Sequence, residues 1–201
     1  GDLERSLERT VELGADRIAL FGYAHVPHLI PRQKRIDGAA LPSQAERFAM
    51  ADLGHALLTG AGYRAVGFDH FALPRDPLAI AAKEGRLHRN FQGFTDDAAP
   101  VLIGLGASAI SSFPDLIVQN EKNAGRYRMR LSQQQLSAAV GVRRSASDQA
   151  TGRCIEALLC QGSAQLGATL TPELVDSLAP FIARGLCVRD DDLLTILPPG
   201  L

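Results

Sequence analysis

Three helix starts and three helix stops fall within the first 86 residues, and they limit what the segments between them can be. Leu3, Leu7 and Val11 lie one turn apart, so residues 2–13 read as a helix with Gly14 as its stop. Ser43 and Glu46 form a capping box that opens a second helix. Ala49, Leu53, Ala56 and Leu57 are its expected inner face, and Gly-Ala-Gly at 60–62 ends it. Asp76 followed by Pro77 is a cap with proline at the first helical position, and Gly85 closes that helix. Between the helices lie strand-like runs. "RIALFGY" (17–23) reads as a strand mostly buried on both faces, as in a parallel sheet, and "YRAVGFD" (63–69) and "VLIGL" (101–105) read as further strands. Pro27, Pro31 and Pro42 break the long connection after the first strand. Alternation of this kind predicts an α/β layer with crossover connections.

The character changes after about residue 131. Ser145 or Ser147 caps an amphipathic helix that runs through Cys160, and Thr171 with Pro172 opens another that runs to Arg184 and closes at Gly185. "CVRDDDLLTIL" then reads as two short strands around an acidic turn. Helix, helix and hairpin together suggest a small winged-helix-like module over 132–201, following a first portion over 1–131. A net charge of -1 leaves no basic field for nucleic acid, and in the tail only Arg143 and Arg144 cluster. No apolar run is long enough to predict a membrane span, and no signal peptide opens the chain. The chain begins at Gly1 rather than Met and opens directly on a helical pattern, which suggests a piece of something longer. Cys154, Cys160 and Cys187 match neither a zinc site nor a cluster motif; they read as small buried thiols of a reducing cytoplasm.

Candidate chemistry gathers at the ends of the expected strands. "GLGASA" (104–109) fits G-x-G-x-x-A, but its continuation "ISSFPD" is a poor helix start. The glycines there instead suit close approach of a ligand or a neighbouring backbone. In "FDHFALP" (68–74), Asp69 and His70 are adjacent and would point to opposite faces of a strand, so no orienting pair is expected; His70 is either an acid–base group or a structural histidine. His25 and His28 in "YAHVPHL" have a spacing that suits a metal, but no third ligand stands near. "GRLHRNFQGFT" (85–95) packs His88, Arg89, Asn90 and Gln92 into a single connecting loop. A polar ligand site along one edge of a parallel sheet follows as the expectation.

"LFGYAHVP", the Gln33 region with its downstream "LPS", "GYRAVGFDHFALPRDPLA", "GRLHRNFQGFT" and "GLGASAISS" stand in this order along the chain. Together they closely resemble the C-terminal half of oxygen-independent coproporphyrinogen III oxidases, over essentially the whole chain. One departure is Phe94, where the family usually shows Tyr. The resemblance implies the C-terminal part of a partial (β/α) barrel of the radical S-adenosylmethionine type. It also implies oxidative decarboxylation of two propionates of coproporphyrinogen III to vinyls, giving protoporphyrinogen IX. In that family a [4Fe-4S] cluster, held by a C-x-x-x-C-x-x-C motif in the N-terminal part, reduces S-adenosylmethionine, and an electron donor of unidentified kind takes part. This chain has no such motif, so alone it is expected to be inactive. Its "LPPGL" end looks abrupt, since related proteins continue past it.

Carried over by position, Ala24 and Ile110 fall where the family contacts S-adenosylmethionine, and Gln92 falls near a second molecule of it. Arg89 suits a bidentate carboxylate clamp, and His70 is a second substrate-binding candidate. Arg32, Lys34 and Arg35 form another positive group, read as solvated surface. A haem-carrying chaperone relative and a non-catalytic binding module are the alternative readings.

Overall fold

The structure is a computed structural model that describes residues 1–197; the "LPPGL" end lies outside the described residues from position 198 onward. The chain divides into two compact units, Gly1–Arg86 and Leu87–Leu201.

In the first unit the helix ends fall where the local chemistry puts them. Helix α1 (Asp2–Glu12) is followed by Gly14 at φ +73°. Helix α2 (Gln44–Gly60) starts on the reciprocal Ser43–Glu46 box. Helix α3 (Pro77–Lys83) starts on Asp76, whose carboxylate accepts from Leu78 N–H at 2.8 Å. Strands β1 (Arg17–Ala19), β2 (Arg64–Val66) and β3 (His70–Ala72) form a sheet in the order β1-β3-β2. Leu7, Ile18, Leu58, Tyr63 and Phe71 make the buried core, with Leu3, Val11, Leu20 and Leu57 packed against it. The stripe of α1 thus meets the inward side of the sheet.

Three expectations fail in this unit. First, both ladders are antiparallel. "YRAVGFDHFA" is a hairpin: Gly67 takes φ +61°, the chain reverses over 67–69, and Val66 pairs with His70. Crossover connections need a dozen or more residues between paired strands, and a turn this short allows only antiparallel return. Second, β1 spans three residues rather than seven and shows an exposed–buried–exposed pattern, so it is covered on one side only. Third, the inner face of α2 is rotated from the expected one. Gly54 and Leu58 are buried with Leu57 beside them, whereas Ala49, Leu53 and Ala56 are exposed. Phe48 and Met50 are exposed as well. A helix that is apolar nearly all round offers more than one stripe to a periodicity argument.

The second unit begins with a hairpin of β4 (His88–Asn90) and β5 (Gly93–Thr95). A sheet in the order β6-β7-β8 follows, made of Ile110–Ser112, Leu116–Asn120 and Ala138–Arg143, with α4 (Ala124–Ser132) between its last two strands. "VLIGL" is not a strand; it contributes one bridge, Leu102 to Ser112. Helix α5 (Ala146–Gln161) starts on Ser145, and α6 (Pro172–Ala183) on Thr171, with Gly185 beyond it at φ +66°. The acidic turn carries Asp191 at φ +54° and joins β10 (Cys187–Asp190) to β11 (Leu193–Ile196). With β9 (Ser163–Gln165) these strands form a sheet in the order β10-β11-β9. Leu166, Cys187 and Leu194 are its core, packed by Cys154, Leu158, Leu174 and Leu178 from the helices. The expected boundary near residue 131 falls inside this unit, just before β8, which pairs with β7. Among the described residues no helix is long and apolar enough to cross a membrane.

Asp76 also accepts from Arg17 Nε at 2.8 Å on both carboxylate oxygens, joining the start of α3 to β1. Burial pushes its pKa up, but the Arg17 guanidinium and the Leu78 N–H outweigh that and hold it below the usual carboxylate value. Arg17 is half exposed, which screens the pair. Asp76→Ala is expected to cost about 2 kcal/mol at pH 7, from the cap and the charged hydrogen bond together. A carboxylate with a depressed folded pKa stabilises above its unfolded value and loses that contribution as pH falls through its folded value. The gap between wild type and variant in urea denaturation should therefore shrink markedly by pH ~3; equal gaps at both pH values would disprove the role.

Candidate functional site

Ala24 lies in the first unit, in the irregular segment that follows β1. One side chain brackets the segment. Gln33, in a 3-10 turn at Pro31–Arg35, donates through Nε2 to Ala24 O at 3.0 Å and accepts from Val26 N–H through Oε1 at 2.6 Å. A carboxamide carries both donor and acceptor, so it mimics a strand partner for the backbone of Ala24 and Val26. Tyr23 and His25 pack beside it, with Tyr23 OH 3.3 Å from His25 Nδ1. Arg32, Lys34 and Arg35 are exposed on the same turn.

His70 is paired, contrary to the expectation from strand geometry. Asp69 Oδ1 lies 2.6 Å from His70 Nδ1. Asp69 belongs to the hairpin turn and not to the strand, so the alternation rule does not govern it. Both side chains are largely buried, so the imidazole is held in a fixed orientation.

The polar loop of the second unit is the β4–β5 hairpin. Phe91 and Gln92 form its turn, where Gln92 N–H donates to Asn90 Oδ1 at 2.8 Å and Gln92 is exposed. Arg89 Cζ stands 4.8 Å from the centroid of the buried Phe94 ring, a distance at which the ring's face attracts the cation. From the tail, Glu156 Oε1 lies 3.2 Å from His88 Nδ1 and accepts from Arg89 N–H at 3.2 Å. One turn along α5, burial and the Glu156 charge push the Cys160 thiol up to about 11, against a smaller opposing pull from Arg89. Glu156 escaped the sequence reading, since nothing local marks a partner 67 residues away.

Ile110 starts β6, immediately after the glycine loop, and no helix follows that loop. A Cβ on Gly104 would stand 2.5 Å from Ile110 O, so the close approach is made by neighbouring backbone. Side chains hold the loop on all sides. Asn120 Nδ2 donates to Gly104 O at 3.1 Å and to Gly106 O at 3.0 Å, and its own N–H donates to Ala109 O at 2.9 Å. Gln119 Nε2 donates to Ser108 O, Gly104 N–H to Ser111 Oγ, and Gly106 N–H to Tyr127 OH. Ser108 sits at φ +62°. Leu105, at the tip of this tied loop, is 87% exposed.

The donor chemistry for a metal is poor. Cys154, Cys160 and Cys187 are free thiols, of which Cys154 and Cys187 belong to the tail core. Among the described residues no three His, Cys, Asp or Glu side chains gather as a ligand set. An iron–sulfur cluster therefore does not fit the residues present. Of the positions carried over for S-adenosylmethionine, Ala24 is exposed in the first unit, and in the second Gln92 is exposed and Ile110 half-buried.

No family model matches the chain. Its fold is that of part of a radical SAM enzyme: the solved structure of coproporphyrinogen III oxidase from Escherichia coli, described as a radical SAM enzyme, aligns at a TM-score of 0.83 and 34% identity, over 94% of this chain and 46% of that one. More particularly, the chain matches the C-terminal half of the oxygen-independent coproporphyrinogen III oxidases over nearly its whole length. The enzyme of that name from Cereibacter sphaeroides (strain ATCC 17025 / ATH 2.4.3) is 39% identical over 189 residues, which are 89% of this chain and 42% of the relative. That of Paracoccus denitrificans is 44% identical over 158 residues, 79% of this chain and 35% of the relative. The chain thus spans about two-fifths of the length of the curated relatives it matches.

Asn120→Ala would leave Gly104 O and Gly106 O without their carboxamide donor. The expected loss is about 2 kcal/mol in urea denaturation, with faster amide exchange over residues 104–109. A change below ~0.5 kcal/mol would show that the carbonyls are served equally well by water.

Proposed function

We propose that this chain is part of an oxygen-independent coproporphyrinogen III oxidase acting in porphyrin and haem biosynthesis. The observation that carries the reading is a likeness that is continuous rather than local: 94% of the chain follows one solved structure at 34% identity. In the proposed reaction, two propionates of coproporphyrinogen III each lose a hydrogen atom, carbon dioxide and one further electron, and each leaves a vinyl group. S-adenosylmethionine, bound with a reduced cluster, would supply the hydrogen-abstracting chemistry. The cluster ligands are not among this chain's described residues, so the chain alone is expected to be inactive.

This chain's own contribution is recognition. Ala24 and Ile110 would each be a contact for S-adenosylmethionine, each beside backbone that a neighbouring carboxamide already holds. Gln92, at the hairpin turn, would meet the second. Arg89 would clamp a propionate, its guanidinium set over the Phe94 ring before substrate arrives. His70, held by Asp69, is the second substrate contact. The same reading takes the end of the chain as a winged-helix-like tail and the rest as part of the radical SAM fold. Two capped helices followed by a hairpin in a three-stranded sheet support the tail reading.

Fusing the chain to the N-terminal portion of the Cereibacter sphaeroides relative and reconstituting the cluster should yield protoporphyrinogen IX from coproporphyrinogen III. A folded, cluster-loaded fusion that consumes S-adenosylmethionine without forming vinyl groups would overturn the assignment. In the active fusion, Arg89→Leu is expected to raise KM for the tetracarboxylate about tenfold or more, as befits a lost charged hydrogen bond, with little change in kcat. An unchanged KM would make Arg89 a purely structural residue.

A further inference from the structure

We propose that Glu156, on helix α5 of the tail, is a positioning residue for the β4–β5 hairpin, which it locks in the conformation that presents Arg89 and Gln92 to substrate and cofactor. The inference rests on the recognition roles just given to those two side chains. Its physical basis is separate from them.

A two-stranded hairpin with three residues in each strand does not hold its shape in water. Among the described residues its two strands pair only with each other. Its support comes from two sides. Gly93 and Phe94 of its second strand are buried, and Glu156 approaches from the helix. The carboxylate takes a ring nitrogen of His88 and the backbone N–H of Arg89 on one oxygen. It therefore fixes the backbone at the residue whose guanidinium lies over Phe94. The contact joins residues 67 and 68 positions apart, so it closes a long loop and ties the tail to the hairpin directly. A role for the tail follows: beyond packing its own core, it sets the geometry of a recognition hairpin that precedes it in sequence by more than fifty residues.

The test uses the whole chain and two measurements, amide exchange over residues 88–95 and titration with coproporphyrin III, the stable oxidised form of the proposed substrate. Glu156→Ala is expected to speed exchange in the hairpin about tenfold and to weaken porphyrin binding by a similar factor, with exchange over 187–196 unchanged. Glu156→Gln keeps an acceptor oxygen in place and should retain most of both. If Glu156→Ala also loosens 187–196, His88→Ala replaces it, since it removes one contact from the hairpin side and leaves α5 untouched. Unchanged hairpin exchange in a folded variant overturns the proposal, and so does faster exchange with unchanged porphyrin affinity. A wild-type chain that does not bind the porphyrin overturns the substrate reading instead, and the lock is then decided by the exchange result alone.

Discussion

A peptide group that lies outside a helix or a ladder must find its partner elsewhere, and in this chain side-chain carboxamides supply it. Asn120 serves three loop carbonyls, two through Nδ2 and one through its own N–H. Gln33 closes the same kind of bracket around Ala24 and Val26. Most strands here are only three residues long, so ladders alone would leave the intervening segments loose. The amides make irregular backbone rigid at the two places, beside Ala24 and beside Ile110, where cofactor contact is proposed. Rigidity obtained in this way lowers the ordering cost that a ligand would otherwise bear.

The same contrast explains what the sequence reveals. Helix ends are local chemistry: Ser43 with Glu46, Asp76 with Pro77 and Thr171 with Pro172 act over three or four residues, and each begins a helix where it should. Strand pairing is not local. "YRAVGFDHFA" contains the reversal that makes the sheet antiparallel, but Gly67 looks no different from a glycine inside a strand until its φ is known. Misplacing that turn also misplaces Asp69, and the Asp69–His70 pair disappears from view with it. Helix α4 has a legible start, since Asn123 caps it through Arg126 N–H, yet its arginine-rich sequence gives no apolar stripe to catch the eye.

The candidate site divides along the same line. Arg89 stands out from the residues around it, in a short polar stretch, whereas Gln92 and Ile110 are named only by position in the family resemblance. Glu156 and Asn120 are marked in neither way. Both are ordinary polar residues in an amphipathic helix or a strand, and their partners become neighbours only after folding. Residues that touch a ligand cluster in sequence because loops carry them. Residues that hold such loops come from whatever element happens to pass behind.

Phe94 shows how far a departure from a family pattern can be judged once its surroundings are known. The ring is buried, and its face lies under the Arg89 guanidinium. Attraction of a cation to an aromatic face comes from the ring's quadrupole, which phenylalanine shares with tyrosine. A phenolic hydroxyl adds nothing to that face and, in a buried position, requires a hydrogen-bond partner of its own. Replacing tyrosine by phenylalanine therefore keeps the contact that orients Arg89 and removes one polar atom that burial would otherwise oblige the hairpin to satisfy. The ring beneath the guanidinium and the carboxylate of Glu156 behind its backbone are both retained by the chain.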